Sequence, residues 1–326
     1  MNISVIICCY NSEQRIVPSL EHLLKQSVPV GLDWEVVLVD NNCTDGTTAV
    51  AKDCWEHPDV PLRIVEEPTP GLSAARDCGV NASNGDYVLF CDDDNWLAPD
   101  YLALAFNFMN SHSDYAAIGG WGDVVSDSNV EIPEWFNEFE TKYACGKTGN
   151  EGNVDILVGA GMFIRKNALK ELSASGFQSL LSDRKGAALS SGGDLELSMA
   201  LRVRGWKLHF SEAMYFKHYM PEGRLTEEYL LRMCHGHGRS RPILSEYKRL
   251  ITGGAFARWT LTFLPIRIYL RRFKRILSGS RPISSLADRV SAATNAGANE
   301  SEKELLDAGG AWTLARRIAK NVQNVE

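Results

Sequence analysis

The chain begins with an unbroken apolar run, "ISVIICCY" (3–10), that stops at Asn11 and Ser12. A short run without polar alternation fits a parallel strand covered on both faces. Next, "EQRIVPSLEHLLKQS" places Ile16, Leu20, Leu23 and Leu24 at helical spacing. "WEVVLVD" (34–40) reads as a second buried strand ending on Asp40, and "NNCTDGTTAVAKDCWEH" as a turn with Thr44 or Asp45 as N-cap, then a helix. A third strand ("PLRIVEE"), a helix ("GLSAARDCGVNAS") and a fourth strand ("DYVLFC") lead to "PDYLALAFNFMNSH", a helix with Pro99 near its start. Strand and helix alternate four times, which predicts an α/β fold with an open, mostly parallel sheet flanked by helices.

The pattern then loosens. "AAIGGWGDVV" reads as a strand, and 126–153 as a polar loop carrying Trp135, Phe136, Phe139 and Tyr143. "NVDILVGAGMFIRKNAL" reads as a strand, a Gly-rich bend and another strand. "SSGGDLELSMALRVRGWKLHF" gives a loop, a helix from about Asp194, a stop at Gly205 and a further strand. From about 225 the pattern is helical throughout, which divides the chain into an α/β domain, 1–225, and a helical extension, 226–326.

Charge changes the picture of that extension. The net charge is −7, so nothing overall points to nucleic acid. Yet residues 202–281 hold 17 Lys and Arg against 5 Asp and Glu. Within them, "FARWTLTFLPIRIYLRRFKRIL" interleaves aromatic and aliphatic residues with Arg258, Arg267, Arg271, Arg272, Lys274 and Arg275. Those charges and Pro265 make it a poor membrane-spanning helix. It suits either an anionic membrane surface or packing against the acidic remainder of the chain. The eight cysteines form no CxxC or Cys/His framework, which suits reduced thiols, and the amino terminus lacks the features of a signal peptide. A cytoplasmic protein is the expectation, peripheral on the inner membrane face in the first of those two cases.

Two groups of residues carry candidate chemistry. Asp40 and the triplet Asp92–Asp94 stand at the carboxyl ends of strands, where open α/β sheets bind ligands. Three adjacent carboxylates raise one another's proton affinity, so the triplet serves a hard cation, the hydroxyls of a polyol, or simply a solvated turn. A cation of the Mg²⁺ or Mn²⁺ type is commonly shared with substrate phosphates. The second group is "SSGGDLELSMAL", where Asp194 follows two glycines at a helix start. It is either a helix cap or a general base for a hydroxyl. Cys9-Tyr10-Asn11 stands where a dinucleotide site would carry GxGxxG, which disfavours a dehydrogenase.

"SVIICCYN", "EVVLVDNNCTDGT", "NGDYVLFCDDDNWLAPDYL" and "GGDLELSMALRVRGW" occur in the order and at the spacing of the family 2 glycosyltransferases, which have the GT-A fold. The resemblance runs from Ile3 to about His218. It implies that Tyr10 and Asn11 border the nucleotide base, that Asp40 bonds the base edge and that Arg76 helps hold base and phosphates. Asp92 and Asp94 would be the ends of a DxD motif, the first near ribose and metal and the last on the metal, with Asp93 a close accessory. Asp194 resembles the catalytic base of the inverting enzymes; the usual pair there is Glu-Asp, whereas Gly193 precedes Asp194 here. His218 resembles a histidine that completes the metal or diphosphate site, the alternative being a surface imidazole, and Arg224 is a further phosphate-clamp candidate. "GAGMFI" (159–164) is expected on the acceptor side, and Trp121 and Trp135 either stack on sugars or fill a core.

The implied activity is inverting transfer from a nucleotide-diphosphate sugar, UDP before GDP, with Mn²⁺ or Mg²⁺ as cofactor. The acceptor would be a saccharide or lipid-linked saccharide in surface polysaccharide or glycoconjugate synthesis. Two rivals remain at this level. A sugar-phosphate nucleotidyltransferase would carry a Gly-rich basic loop after the first strand, where this chain has "YNSEQR". A non-catalytic carbohydrate- or cation-binding relative would lack the base.

Overall fold

A computed structural model describes residues 1–181, 183, 191–277, 283–307 and 310–321, with the side chains of 254–259 and 275–277 excepted. Arg258 and Arg275 of the basic segment therefore lie outside the described side chains. The chain divides into two units, Met1–Lys170 with Trp206–Leu225, and Glu171–Gly205 with Thr226–Glu326.

In the first unit, β1 (Ile3–Cys9) is central because apolar residues cover both its faces and only Cys8 is partly exposed. α1 (Ile16–Leu24) returns the chain to β2 (Trp34–Asp40), α2 (Thr47–Cys54) to β3 (Leu62–Glu66), and α3 (Leu72–Ala82) to β4 (Tyr87–Phe90). β2 and β4 each pair in parallel with β1, and β3 in parallel with β2. The order 3-2-1-4 reverses at β1, so the crevice where such sheets take ligands lies beyond the ends of β1 and β4.

The rest of this unit is β5 (Asn95–Leu97), α4 (Tyr101–Ser111), β6 (Tyr115–Val125), α5 (Phe136–Phe139), β7 (Gly152–Asn153), β8 (Phe163–Arg165), the start of α6 (Lys166–Ala174), and, after an excursion into the second unit, β9 (Lys207–Tyr219). Among the described residues the nine strands run β3-β2-β1-β4-β8-β6-β9-β5, with β7 on β9. The strand expected over "NVDIL" shrinks to Asn153 at the end of β7, whereas β9 is longer than expected. A register shift against β6 between Gly119 and Trp121 carries β9 past polar Ser211 and Glu212 without ending it. Ile3, Val5, Ile7, Val36, Leu38, Leu89, Phe163 and Phe216 share one core. The 126–153 segment contributes too, since Phe136, Phe139 and Tyr143 are buried.

Beneath the amino end of β2, Glu35 is buried. It accepts hydrogen bonds from Ser4 Oγ (2.7 Å), Arg63 Nε (2.8 Å), Asn84 N (2.7 Å) and Asn84 Nδ2 (3.1 Å). Burial alone would raise its pKa, but these donors outweigh it and hold the carboxyl at about 2.

The second unit is helical: the end of α6, then α7 (Gly193–Val203), α8 (Glu227–Trp259), α9 (Leu264–Leu277), α10 (Leu286–Leu306) and α11 (Gly310–Asn321). α8 and α10 cross in direct backbone contact. A Cβ at Gly238 would strike the Thr294 carbonyl, and one at Gly297 the His235 carbonyl, so only glycine permits this approach. Ser285 and Asp288 form a reciprocal capping box that starts α10. Among the described residues no helix is long and apolar enough to cross a membrane.

Candidate active site

The site is assembled where β1, β2 and β4 end. Tyr10 leaves β1 exposed to solvent. Asn11 turns the chain with φ +51°, a left-handed conformation that asparagine tolerates. Its Oδ1 accepts from Thr44 N at 2.8 Å, which ties the β1 exit to the loop after β2. Asp40 closes that loop by accepting from Cys43 N at 2.8 Å. Buried Asn41 reaches the other way, donating to the carbonyls of Glu67 and Thr69 and accepting from Gly71 N, each at 2.8 Å. It thereby fixes the entry to α3, the helix that carries Arg76.

Arg76 stands over the Phe90 ring, 4.9 Å from guanidinium carbon to ring centroid. Its Nη2 is 3.6 Å from Asp92 Oδ1, an electrostatic contact rather than a hydrogen bond. Gly159 makes room for it, since a Cβ there would lie 2.7 Å from Nη2. The front of "GAGMFI" thus backs the arginine. Gly161 N donates to Phe90 O at 2.9 Å, and Tyr101 Oη to Gly161 O at 2.7 Å, so the bend is braced from both sides.

The three aspartates diverge. Asp92 is the most open, with 30% of its side chain exposed. Asp93 turns back to α1, where its Oδ2 accepts from Ser12 Oγ and from Arg15 Nη2 at 3.0 Å, while its carbonyl accepts from Ser19 Oγ at 2.8 Å. Burial and neighbouring Asp94 push Asp93 up against the pull of Arg15 and Ser12. Asp94 points away from α1, with Arg224 Nη1 at 2.8 Å from Oδ2 and His218 Nε2 at 3.4 Å from Oδ1.

Strand register delivers His218 to this place. β5 pairs antiparallel with β9 so that Asn95 stands opposite His218, and Tyr219 N donates to Asp94 O at 2.8 Å. Burial would push His218 down, but Asp94 outweighs it and, with Cys145 Sγ at 3.8 Å, lifts the imidazole to about 10. The crevice therefore alternates negative and positive groups: Asp92 with Arg76, and Asp94 with Arg224 and His218.

Among the described residues no three His, Cys, Asp or Glu side chains gather closely enough to hold a metal by themselves. The donor set fits a hard cation by its chemistry nonetheless. Mg²⁺ and Mn²⁺ take oxygen ligands, and Mg²⁺ is commonly held by one or two carboxylates with phosphates and water completing the shell.

Asp194 belongs to the helical unit, in the first turn of α7, and its Oδ1 accepts from Leu195 N at 2.9 Å. Gly193 N donates to Asp183 Oδ1 at 2.8 Å, and the Asp183 carboxylate fills the space that a Cβ at 193 would need. Glu196 is fully buried and accepts from Leu180 N (2.9 Å), Leu181 N (2.8 Å), Ser179 Oγ (2.9 Å) and Tyr247 Oη (3.0 Å). Of the two helix-start acids, Glu196 is thus the anchor of the 179–181 segment. Ser12, Arg15, Asn41 and Asp183 carried no signal in the sequence, because each acts through a partner at least ten positions away.

A family model described as glycosyl transferase family 2 matches residues 4–173, more than half of the chain, and the chain belongs to that family. Among curated relatives, glycosyltransferase GlyA of Streptococcus pneumoniae is 30% identical over 119 residues, 36% of this chain and 16% of that protein. Poly(ribitol-phosphate) beta-glucosyltransferase of Bacillus spizizenii is 31% identical over 122 residues, 36% of this chain and 19% of that protein. This chain thus spans less than a fifth of the length of either relative. Among solved structures, the Pyrobaculum calidifontis mannosyltransferase PcManGT, in complex with GDP-Man and Mn²⁺, is similar in fold, with a TM-score of 0.55, 18% identity, and 100% of this chain and 88% of that one covered. The GT-A architecture expected from the motifs is the one found.

Proposed function

We propose that the chain is an inverting glycosyltransferase moving a sugar from a nucleotide-diphosphate donor to a hydroxyl of a saccharide or lipid-linked saccharide, in the making of a surface polysaccharide or glycoconjugate. The observation that carries this reading is the alternation of carboxylates and cations at the β1/β4 crevice. Arg76, Arg224 and His218 suit a diphosphate, and Asp92 and Asp94 suit the cation that accompanies one. The names of the relatives support a polymer acceptor, and the GDP-Man and Mn²⁺ of the mannosyltransferase support a nucleotide sugar with a divalent ion.

In this reading Tyr10 and Asn11 border the base and Asp40 accepts from its edge, with UDP and GDP as the donors to compare. Asp92 and Asp94 would hold Mn²⁺ or Mg²⁺, with His218 the third candidate ligand, and the ion would supply neutralisation of charge on the departing diphosphate. Arg76 and Arg224 pair with the phosphates, and Asp93 holds the acidic loop against α1. His218, 3.4 Å from Asp94 Oδ1, is placed to share the cation with Asp94 when neutral or to pair with the diphosphate when protonated. Asp194 takes the proton of the acceptor hydroxyl as that oxygen bonds to the anomeric carbon. The bond from this carbon to the diphosphate breaks, its electron pair leaves with the nucleoside diphosphate, and configuration inverts.

The test is nucleoside diphosphate release from UDP- and GDP-sugars with Mn²⁺, using the full chain. Asp194→Asn should cut kcat by about 10²–10⁴-fold, the usual worth of a general base, with donor affinity kept, whereas Asp94→Asn should weaken Mn²⁺-dependent donor binding. Turnover that survives Asp194→Asn removes that residue from its role. Pyrophosphate release from a nucleoside triphosphate and a sugar phosphate would establish the nucleotidyltransferase instead.

A further inference from the structure

α9 has two apolar faces, and one of them is left outside. Leu264 and Ile268 turn inward and are fully buried. Ile266, Tyr269, Leu270 and Phe273 follow the i, i+3, i+4, i+7 spacing that gathers residues on one helix face. They are 55%, 61%, 53% and 49% exposed. At about 100° per residue, Arg272 falls on one flank of this stripe and Lys274 on the other.

The rotational setting of the helix is fixed from within. Arg267 and Arg271, which the sequence places among the cations of a membrane-facing segment, turn instead to Glu246 of α8, a buried carboxylate. Arg267 Nη2 is 2.6 Å from its Oε2, Arg271 Nη2 3.2 Å from Oε1, and Arg249 Nε joins them at 3.1 Å. Arg271 Nε also lies 3.6 Å from Glu302 of α10, itself buried. Rolling the outer stripe inward would withdraw these guanidiniums and strand both carboxylates, which is strongly unfavourable. The apolar stripe is held outward by ion pairs.

Charge decides what covers it. α9 carries Arg267, Arg271, Arg272, Lys274 and Arg275 and no acid, and adjoining α11 carries Arg316, Arg317 and Lys320 and no acid. On α11 Trp312 is 51% exposed. A second copy of this face would bring like charges together, whereas an anionic bilayer complements both the cations and the apolar stripe. We propose that the outer face of α9 lies in the boundary layer of an anionic membrane, with Ile266, Tyr269, Leu270 and Phe273 among the acyl chains and Arg272 and Lys274 at the lipid phosphates. The proposal uses the helical unit alone and does not depend on the catalytic assignment.

The test is co-sedimentation of the full chain with vesicles of phosphatidylcholine, with and without phosphatidylglycerol. Binding should require the anionic lipid. Ile266→Ser with Phe273→Ser should weaken it more than about tenfold, since each removes a buried apolar group. Arg272→Gln and Lys274→Gln should each weaken it about fivefold, the worth of one basic residue at an anionic surface. Ile266, Phe273 and Lys274 are exposed and Arg272 is half-buried, and none of the changes touches the ion pairs of Glu246, so thermal melting should be little changed. Tyr269→Trp should gain quenching by brominated lipid in the anionic vesicles alone. Equal binding to neutral vesicles, or binding indifferent to Ile266 and Phe273, overturns the proposal. So does a dimer in light scattering that the Ile266 and Phe273 changes disperse while no vesicle binding is seen.

Discussion

Replacing Asp93 separates the scaffold role of the acidic triplet from the donor-binding role proposed for it. Asp93→Ala leaves the Ser12 hydroxyl, fully buried, without its acceptor, and Arg15 without its carboxylate. An orphaned buried polar group costs ~1–3 kcal/mol. Arg15 is 28% exposed, so its loss is screened and adds only ~0.5 kcal/mol. The expected total is ~1.5–3.5 kcal/mol, or a fall in Tm of about 3–14 °C at ~2–4 °C per kcal/mol for a fold of this size. Asp93→Asn keeps an oxygen for Ser12 and removes the charge that opposes Asp94, so it should cost under ~1 kcal/mol. Thermal melting, run beside a donor titration with Mn²⁺, reads both effects. Asp93→Ala should lose stability yet bind donor within about threefold of wild type, a change below ~0.7 kcal/mol. If its stability were unchanged and its donor affinity fell as far as that of Asp94→Asn, Asp93 would be a ligand-facing carboxylate and not a scaffold residue.

Glu35→Gln should destabilise the protein by ~3–4 kcal/mol at neutral pH, from a carboxyl held at about 2 instead of its ordinary 4.5 at ~1.4 kcal/mol per unit. That stabilisation is complete above 4.5 and is lost as pH falls toward 2, so the variant's denaturation profile should flatten over that window; an acid limb identical to wild type would contradict it. Gly159→Ala should displace the Arg76 guanidinium, whose Nη2 would lie 2.7 Å from the new Cβ. Donor affinity measured by calorimetry should fall about tenfold, ~1.4 kcal/mol, with melting little changed, and an unaltered affinity would detach Arg76 from the donor site.

The sheet's first half was legible because β1, β2 and β4 are buried on both faces and so appear as plain apolar runs. β5 has three residues, too few for any period to emerge, and its pairing with β9 places His218 at Asp94. β9 was legible only in part, since polar Ser211 and Glu212 interrupt it where the register shifts. Asp92, Asp94 and Arg76 could be named from motifs, but the side chains that each of them meets could not. That Asp93 turns away depends on Ser12 and Arg15 from another element. The basic tail shows the same limit. Its cations were countable, yet which of them face inward is set by Glu246, many residues earlier in the chain.

Three residue pairs, Asn95–His218, Trp96–Lys217 and Leu97–Phe216, join β5 to β9. Side chains on a strand alternate in direction, so a slip of one position would swing the imidazole to the far side of the sheet. The acidic loop and a histidine more than a hundred residues later are therefore geared together through a very short coupling. Motion of the acidic loop would be transmitted along β9 toward Arg224, the residue holding Asp94 from its other side.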